Sequence, residues 1–139
     1  MNKADTIKIK NTVDAIEGAL GPVMDALEEA GAPHKVCYKV RLALDELLTN
    51  VVSYAYEGRE GVVELHYEIS ENPPSVSVTI IDEGRPFNPL EAKDPDLNDD
   101  IGKRKVGGLG LFIVKSIMDS IDYVRENNKN ILTIRKTMQ

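Results

Sequence analysis

The chain has 139 residues, enough for one domain with a full hydrophobic core and too few for most multi-domain enzymes, since domains cluster near ~100–150 residues. Apolar residues at 42% and charged residues at 29% match ordinary globular usage, which excludes a disordered chain or a fibrous repeat. Seventeen basic against twenty-three acidic side chains leave a net charge of -6, which disfavours general nucleic-acid or anionic-membrane binding. No run of ~18 apolar residues suggests a transmembrane helix, and no apolar signal core follows Met1 to Thr6. Cys37 is the only cysteine, so an intrachain disulfide is excluded. These features predict a single cytoplasmic domain over residues 1–139.

In chain order, Thr6 to Lys10 alternates polar and apolar residues and predicts a short strand. Asn11 or Thr12 can cap a helix in which Val13, Ile16, Leu20, Val23 or Met24, and Leu27 recur at helical steps. Gly21-Pro22 is expected to kink or split that helix. Gly31-Ala32-Pro33 ends it and starts a long amphipathic helix to about Tyr56. The apolar stripe there is Val36, Val40, Ala43 or Leu44, Leu47, Val51 and Ala55. Gly58 and Gly61 bracket a turn. Val63, Leu65, Tyr67 and Ile69 alternate with polar residues in one strand, and Val76, Val78 and Ile80 do so in the next, across the turn Asn72-Pro73-Pro74.

Parity puts Asp82 on the same strand face as Val78 and Ile80, so a carboxylate sits at the edge of the core face. From Glu83 to about Val106 periodicity disappears, and a loop this long predicts a lid, a binding loop or disorder. Gly107-Gly108-Leu109-Gly110 opens a short helix through about Ser120. Ile121 to Arg125 and Ile131 to Thr137 read as a closing hairpin. The order β-α-α-β-β-loop-α-β-β predicts an α+β fold, a mixed sheet with helices on one face.

Three places can carry chemistry. Glu46 and Asn50 are spaced i,i+4 on the long helix and share one face. A carboxylate with an amide oxygen suits a hard cation or its water shell, although a solvated Glu and a satisfied buried Asn would give the same pattern. Asp82-Glu83-Gly84 follows a strand: the carboxylate can accept from an exocyclic amine, and Gly84 permits close backbone approach. A plain turn would also place Asp and Gly there. The glycines 107, 108 and 110 open a helix, where free amides and the dipole attract anions, and Lys103, Arg104 and Lys105 precede them. No Gly-Lys-Ser/Thr follows, so this is not a Walker A loop. His34 and His66 read as surface residues, Cys37 as a small core or boundary residue. No Ser-His-Asp arrangement or zinc-ligand spacing is present.

Taken together and in this order, the three segments resemble the N, G1 and G2 boxes of the GHKL ATPase superfamily. Leu42 to Tyr56 (LALDELLTNVVSYAY), Asp82 to Pro89 (DEGRPFNP) and Gly107 to Phe112 (GGLGLF) are most similar to the anti-sigma-factor serine/threonine kinases. The resemblance covers nearly the whole chain. It implies the Bergerat, histidine-kinase-like ATPase fold, a two-layer α/β sandwich with a lid at about 88–106. It implies ATP and Mg²⁺ as cofactors, with Asn50 as the metal ligand and Glu46 as the general base. Asp82 would contact the adenine amine beside Gly84, and Lys105, Gly107, Gly108, Leu109 and Gly110 would surround the phosphates.

The implied activity is phosphoryl transfer to a serine of a small anti-anti-sigma protein, with a sigma factor or similar regulator as second partner and a homodimer as the common assembly. The alternative is a nucleotide-gated switch that binds a regulator without transfer, and the retained Glu46 favours the enzyme. The ATP-binding half of a histidine kinase would need a phosphoacceptor His on a dimerising hairpin, for which 139 residues leave no room. Two departures from the family stand out: Tyr54 where His is common, and Asn130-Ile131 where a hydroxyl is common.

Overall fold

The computed structural model describes residues 3–91 and 108–139. Most of the expected lid, with Lys105 and Gly107, lies outside the described residues. The elements are β1 (Lys3–Lys10), α1 (Ile16–Glu29), α2 (His34–Asn50), β2 (Val62–Glu71), β3 (Pro74–Asp82), α3 (Gly108–Ile117), β4 (Ser120–Glu126) and β5 (Lys129–Thr137). Short 3₁₀ turns at Val13–Ala15 and Pro89–Glu91 and a π-helical turn at Val51–Ala55 complete the described elements.

The five strands form one sheet in the order β1-β2-β3-β5-β4. Every neighbouring pair is antiparallel, so the sheet is not the mixed one that the sequence predicts. The reason lies in the last hairpin. β4 and β5 arrive together after α3, and β5 docks against β3 while β4 takes the edge.

One sheet face is apolar. Val63, Leu65, Tyr67 and Ile69 of β2 are buried, as are Val76, Val78 and Ile80 of β3 and Leu132 and Ile134 of β5. They join Leu20, Val23 and Leu27 of α1, Val40, Leu44 and Leu47 of α2 and Val114 of α3 in a single core. The other face carries Glu64, His66, Glu68, Ser77 and Thr79, partly or fully exposed. Period-two alternation on the strands and the stripes on the helices thus give two layers, helices over one side of the sheet.

The possible split of the first helix and the length of the second are corrected. α1 runs unbroken through Gly21-Pro22 instead of splitting there. A mid-helix proline costs about 3 kcal/mol, but Ile16, Leu20, Val23 and Leu27 are buried on one face with Ala19 and Ala26, and each of the four larger side chains contributes about 1.5–3 kcal/mol. Burial outweighs the lost hydrogen bond. The long helix is α-helical only to Asn50, and Val51–Ala55 widens into the π turn. That turn offers the Tyr54 and Ala55 carbonyls to Arg85, whose Nε and backbone N–H donate at 3.1 and 2.8 Å.

Candidate nucleotide site

A cavity of about 420 Å³, counting its open mouth, lies between α2, the end of β3 and the β4–β5 hairpin. Leu47, Ile80, Leu111 and Leu132 form apolar walls, with Phe87 and Tyr123 as aromatic ones. Asn50, Asp82 and Asn130 also line it, and they are the buried polar side chains among the described residues, at 9%, 4% and 4% exposure. An apolar slot with a few convergent polar groups is the form of a small-ligand site.

Each polar group arrives by a local rule. Asn50 ends α2 on the side of its buried stripe, next to Leu47 and Leu48. Its Nδ2 is buried with no hydrogen-bond partner among the described residues. A buried amide N–H left unpaired costs about 1–3 kcal/mol, so this nitrogen is a donor in want of an acceptor. Asp82 is the last residue of β3 and points to the core face by parity with Ile80. Its Oδ1 accepts from Gly84 N–H at 2.9 Å and from Asn130 Nδ2 at 2.9 Å. Burial pushes the Asp82 carboxyl above the ordinary Asp range, against the two hydrogen bonds and the nearby charge of Arg125.

The glycines are explained by contact. A Cβ on Gly84 would lie 2.5 Å from the Ala55 carbonyl carbon and 2.6 Å from its Cβ, so only glycine lets the chain after β3 pass the π turn. A Cβ on Gly110 would overlap Oε2 of Glu46 and sit 2.8 Å from its Cδ. The glycine-led start of α3 is therefore laid directly on the half-buried Glu46 carboxylate. Gly108 and Leu109 fall in the first turn of the same helix.

So Asn50 and Asp82 are brought together in one cavity, Gly84 adjoins Asp82, and Gly110 meets Glu46. Glu46 itself is outside the cavity lining. Among the described residues no group of three or more His, Cys, Asp or Glu side chains could hold a metal. Mg²⁺ usually keeps several waters and binds through few protein oxygens, so the lack of such a cluster does not exclude it.

Sequence reasoning missed Arg125 and Tyr123, and noted Asn130 only as a departure from the family pattern. Asn130 stands directly opposite Asp82 across the β3–β5 ladder and opposite Arg125 across the β4–β5 ladder. The row Asp82–Asn130–Arg125 crosses three strands, and Arg125 Nη1 donates to the Gly84 carbonyl at 2.8 Å. Tyr123 donates its hydroxyl proton to Asn130 Oδ1 at 2.5 Å. The signal was available: Asn130 shares parity with Leu132 and Ile134, so a polar side chain leads an apolar row, as Asp82 ends one.

Residues 9–136 match the model of the histidine kinase-like ATPase domain family. Curated relatives include serine-protein kinases RsbW of Staphylococcus aureus strains MSSA476 and MRSA252, 28% and 27% identical over 129 residues. Each alignment covers 88% of this chain and 74% of the relative. Among solved structures, the RsbU and RsbW domains of a Mycobacterium tuberculosis protein superpose with a TM-score of 0.68 at 16% identity, over 98% of this chain. A histidine kinase domain from Erythrobacter litoralis EL346, a blue-light-activated enzyme, gives 0.59 at 21% identity, over 88% of this chain. This chain spans 32% and 61% of those two solved chains, and at such identities the likeness is one of fold.

Proposed function

The chain belongs to the histidine kinase-like ATPase family, in its anti-sigma-factor kinase branch, and from that premise we propose that it is an ATP- and Mg²⁺-dependent protein serine kinase. It would phosphorylate a small antagonist protein and sequester a sigma factor or similar regulator. The observation that carries this reading is the shared cavity of Asn50 and Asp82; the buried Asn50 Nδ2, unpaired among the described residues, lacks an acceptor that a nucleotide's phosphate oxygen would supply.

Asn50 would hold Mg²⁺ through its amide oxygen. Asp82, with one oxygen already taken by Gly84 and Asn130, would accept from the adenine amine with the other. Phe87, Tyr123 and Ile80 exclude water around the base, and Gly84 keeps the chain close to it. The free N–H groups at the start of α3, together with Lys105 and Gly107 outside the described residues, would hold the phosphates. Mg-ATP supplies the transferable phosphoryl group and the cation that neutralises its charge. Glu46, on the face of α2 next to Gly110, would take the proton from the incoming serine hydroxyl. The protein's share of the chemistry is positioning and one proton transfer.

Incubation with γ-labelled ATP and candidate antagonist proteins tests the reading, with label expected on a serine of one of them. Millimolar Mg-ATP should also raise the melting temperature, since a ligand at 100 times its Kd stabilises by about 2.7 kcal/mol. A thermal shift without transfer, but with nucleotide-dependent partner binding, would favour the switch. No shift at all would remove the nucleotide reading.

A further inference from the structure

The hydrogen-bonding capacity of Asn130 is used up. Its Nδ2 donates to Asp82 Oδ1 at 2.9 Å and to the Arg85 carbonyl at 2.8 Å. Its Oδ1 accepts from the Tyr123 hydroxyl at 2.5 Å and the Phe87 N–H at 3.3 Å. An amide has two donors and two lone pairs, and all four are engaged. Only one amide orientation satisfies the set, because turning it over would aim a carbonyl oxygen at the Asp82 carboxylate and the Arg85 carbonyl. The side chain is buried, so these bonds are little weakened by water.

The consequence falls on Asp82. Asn130 and Gly84 donate to the same carboxylate oxygen. Two donors on one oxygen fix the carboxylate plane and leave the second oxygen as the acceptor in a set position. They also keep Oδ1 an acceptor, so Asp82 cannot offer a proton from that atom. A carboxylate fixed in this way favours a ligand amine and repels a ligand carbonyl. The same amide ties Tyr123 and Phe87, two of the cavity's aromatic walls, to this carboxylate.

We propose that Asn130 is a positioning residue that sets nucleobase selectivity through Asp82, making the site choose a 6-aminopurine over a 6-ketopurine. This rests on the nucleotide-binding reading above and adds to it a residue without direct contact to the base.

A double-mutant cycle on the full chain tests it, read with Mg-ATP and Mg-ITP, whose purines differ in a 6-amino against a 6-keto group and the N1 proton. Asn130→Leu keeps the volume and removes all four bonds. The ATP-over-ITP preference should fall by about tenfold or more, the worth of one hydrogen bond to a charged group. In an Asp82→Asn background the same substitution should change the ratio by less than about twofold, because its effect passes through Asp82. A purely structural role would weaken both ligands alike, leaving the ratio at its parental value, and that result overturns the proposal. So would equal loss of preference in both backgrounds. If Asn130→Leu fails to fold, Asn130→Ala is read in the same way. A parent that binds neither nucleotide fails the functional reading and this inference with it. A selective parent whose variants keep the ratio overturns only the inference.

Discussion

The carboxylate of Glu46 on α2 occupies the space that a side chain on Gly110 of α3 would need. The two lie in separate sequence motifs, and their contact is what joins the candidate base to the glycine-led helix. Alanine is favoured over glycine inside a helix by about 0.8–1 kcal/mol, and the Glu46 side chain can swing away. Gly110→Ala is therefore expected to leave stability unchanged or slightly higher while displacing Glu46. Thermal melts with phosphoryl-transfer rates check this: a normal melt with transfer lowered about tenfold or more is the expected pair. Parental transfer would show that the contact has no part in the chemistry.

Gly84 differs because its neighbour cannot yield. The added Cβ would meet the Ala55 backbone, 2.5 Å from the carbonyl carbon, and the Arg85 N–H bond to that carbonyl fixes the approach. Gly84→Ala should cost about 1–3 kcal/mol, the usual penalty of overpacking, and lower Tm by several degrees. An unchanged Tm would mean that the π turn gives way easily.

Much of this was open to sequence reasoning for a simple reason. Periods of two and 3.6 report which face is buried, so the rows of β2 and β3, the stripe of α2 and the inward Asp82 follow from local pattern alone. Strand pairing does not. The antiparallel docking of β5 on β3, which brings Asn130 to Asp82, is a long-range choice that no local period records. The continuity of α1 through Pro22 is hidden for a related reason: the proline's penalty is local, whereas the burial that outweighs it comes from the sheet. The widening of the helix after Asn50 has no marker in Val51 to Ala55.

Asn50 combines a stability cost with a binding role. Its Nδ2 is buried and unpaired among the described residues, at the end of a helix that alanine would suit better. Asn50→Ala is expected to keep or raise Tm, yet to abolish or severely weaken Mg²⁺-dependent nucleotide binding. Calorimetric titration with and without Mg²⁺ reads both. A variant that binds Mg-ATP like the parent would rule out Asn50 as the metal ligand.

Burial holds the Asp82 carboxyl above the ordinary Asp range, so the folded protein keeps its proton to higher pH than the unfolded chain does. The resulting stability is present below the unfolded value and is lost as pH rises through the raised folded one. Ionising Asp82 is thus a cost to the fold. Asp82→Asn, whose amide oxygen can still accept from Asn130 and Gly84, should raise Tm at pH 7, with a gain that shrinks in acid. Base choice should move the other way, with the preference for ATP over GTP narrowing. Melts across the pH range and titrations with both nucleotides decide it: a lower Tm at pH 7 with selectivity intact contradicts both halves.

Glu46 decides between enzyme and switch. It shares a face of α2 with Asn50, one turn away, so a metal held at Asn50 would bring the terminal phosphate of a nucleotide near its carboxylate. Glu46 lies outside the cavity lining, which predicts a small part in holding the nucleotide. A carboxylate in that position can take the proton from an attacking serine hydroxyl. Glu46→Gln keeps the size and an acceptor oxygen while removing the proton-accepting charge. Mg-ATP affinity and partner binding should stay near parental values, and single-turnover phosphoryl transfer should fall by about 10²-fold or more. Parental transfer in Glu46→Gln would refute the general-base role. Joint loss of binding and transfer would make Glu46 part of the metal's surroundings instead. If the parent itself transfers no phosphoryl group to any antagonist yet releases a partner when nucleotide is exchanged, the chain is the switch.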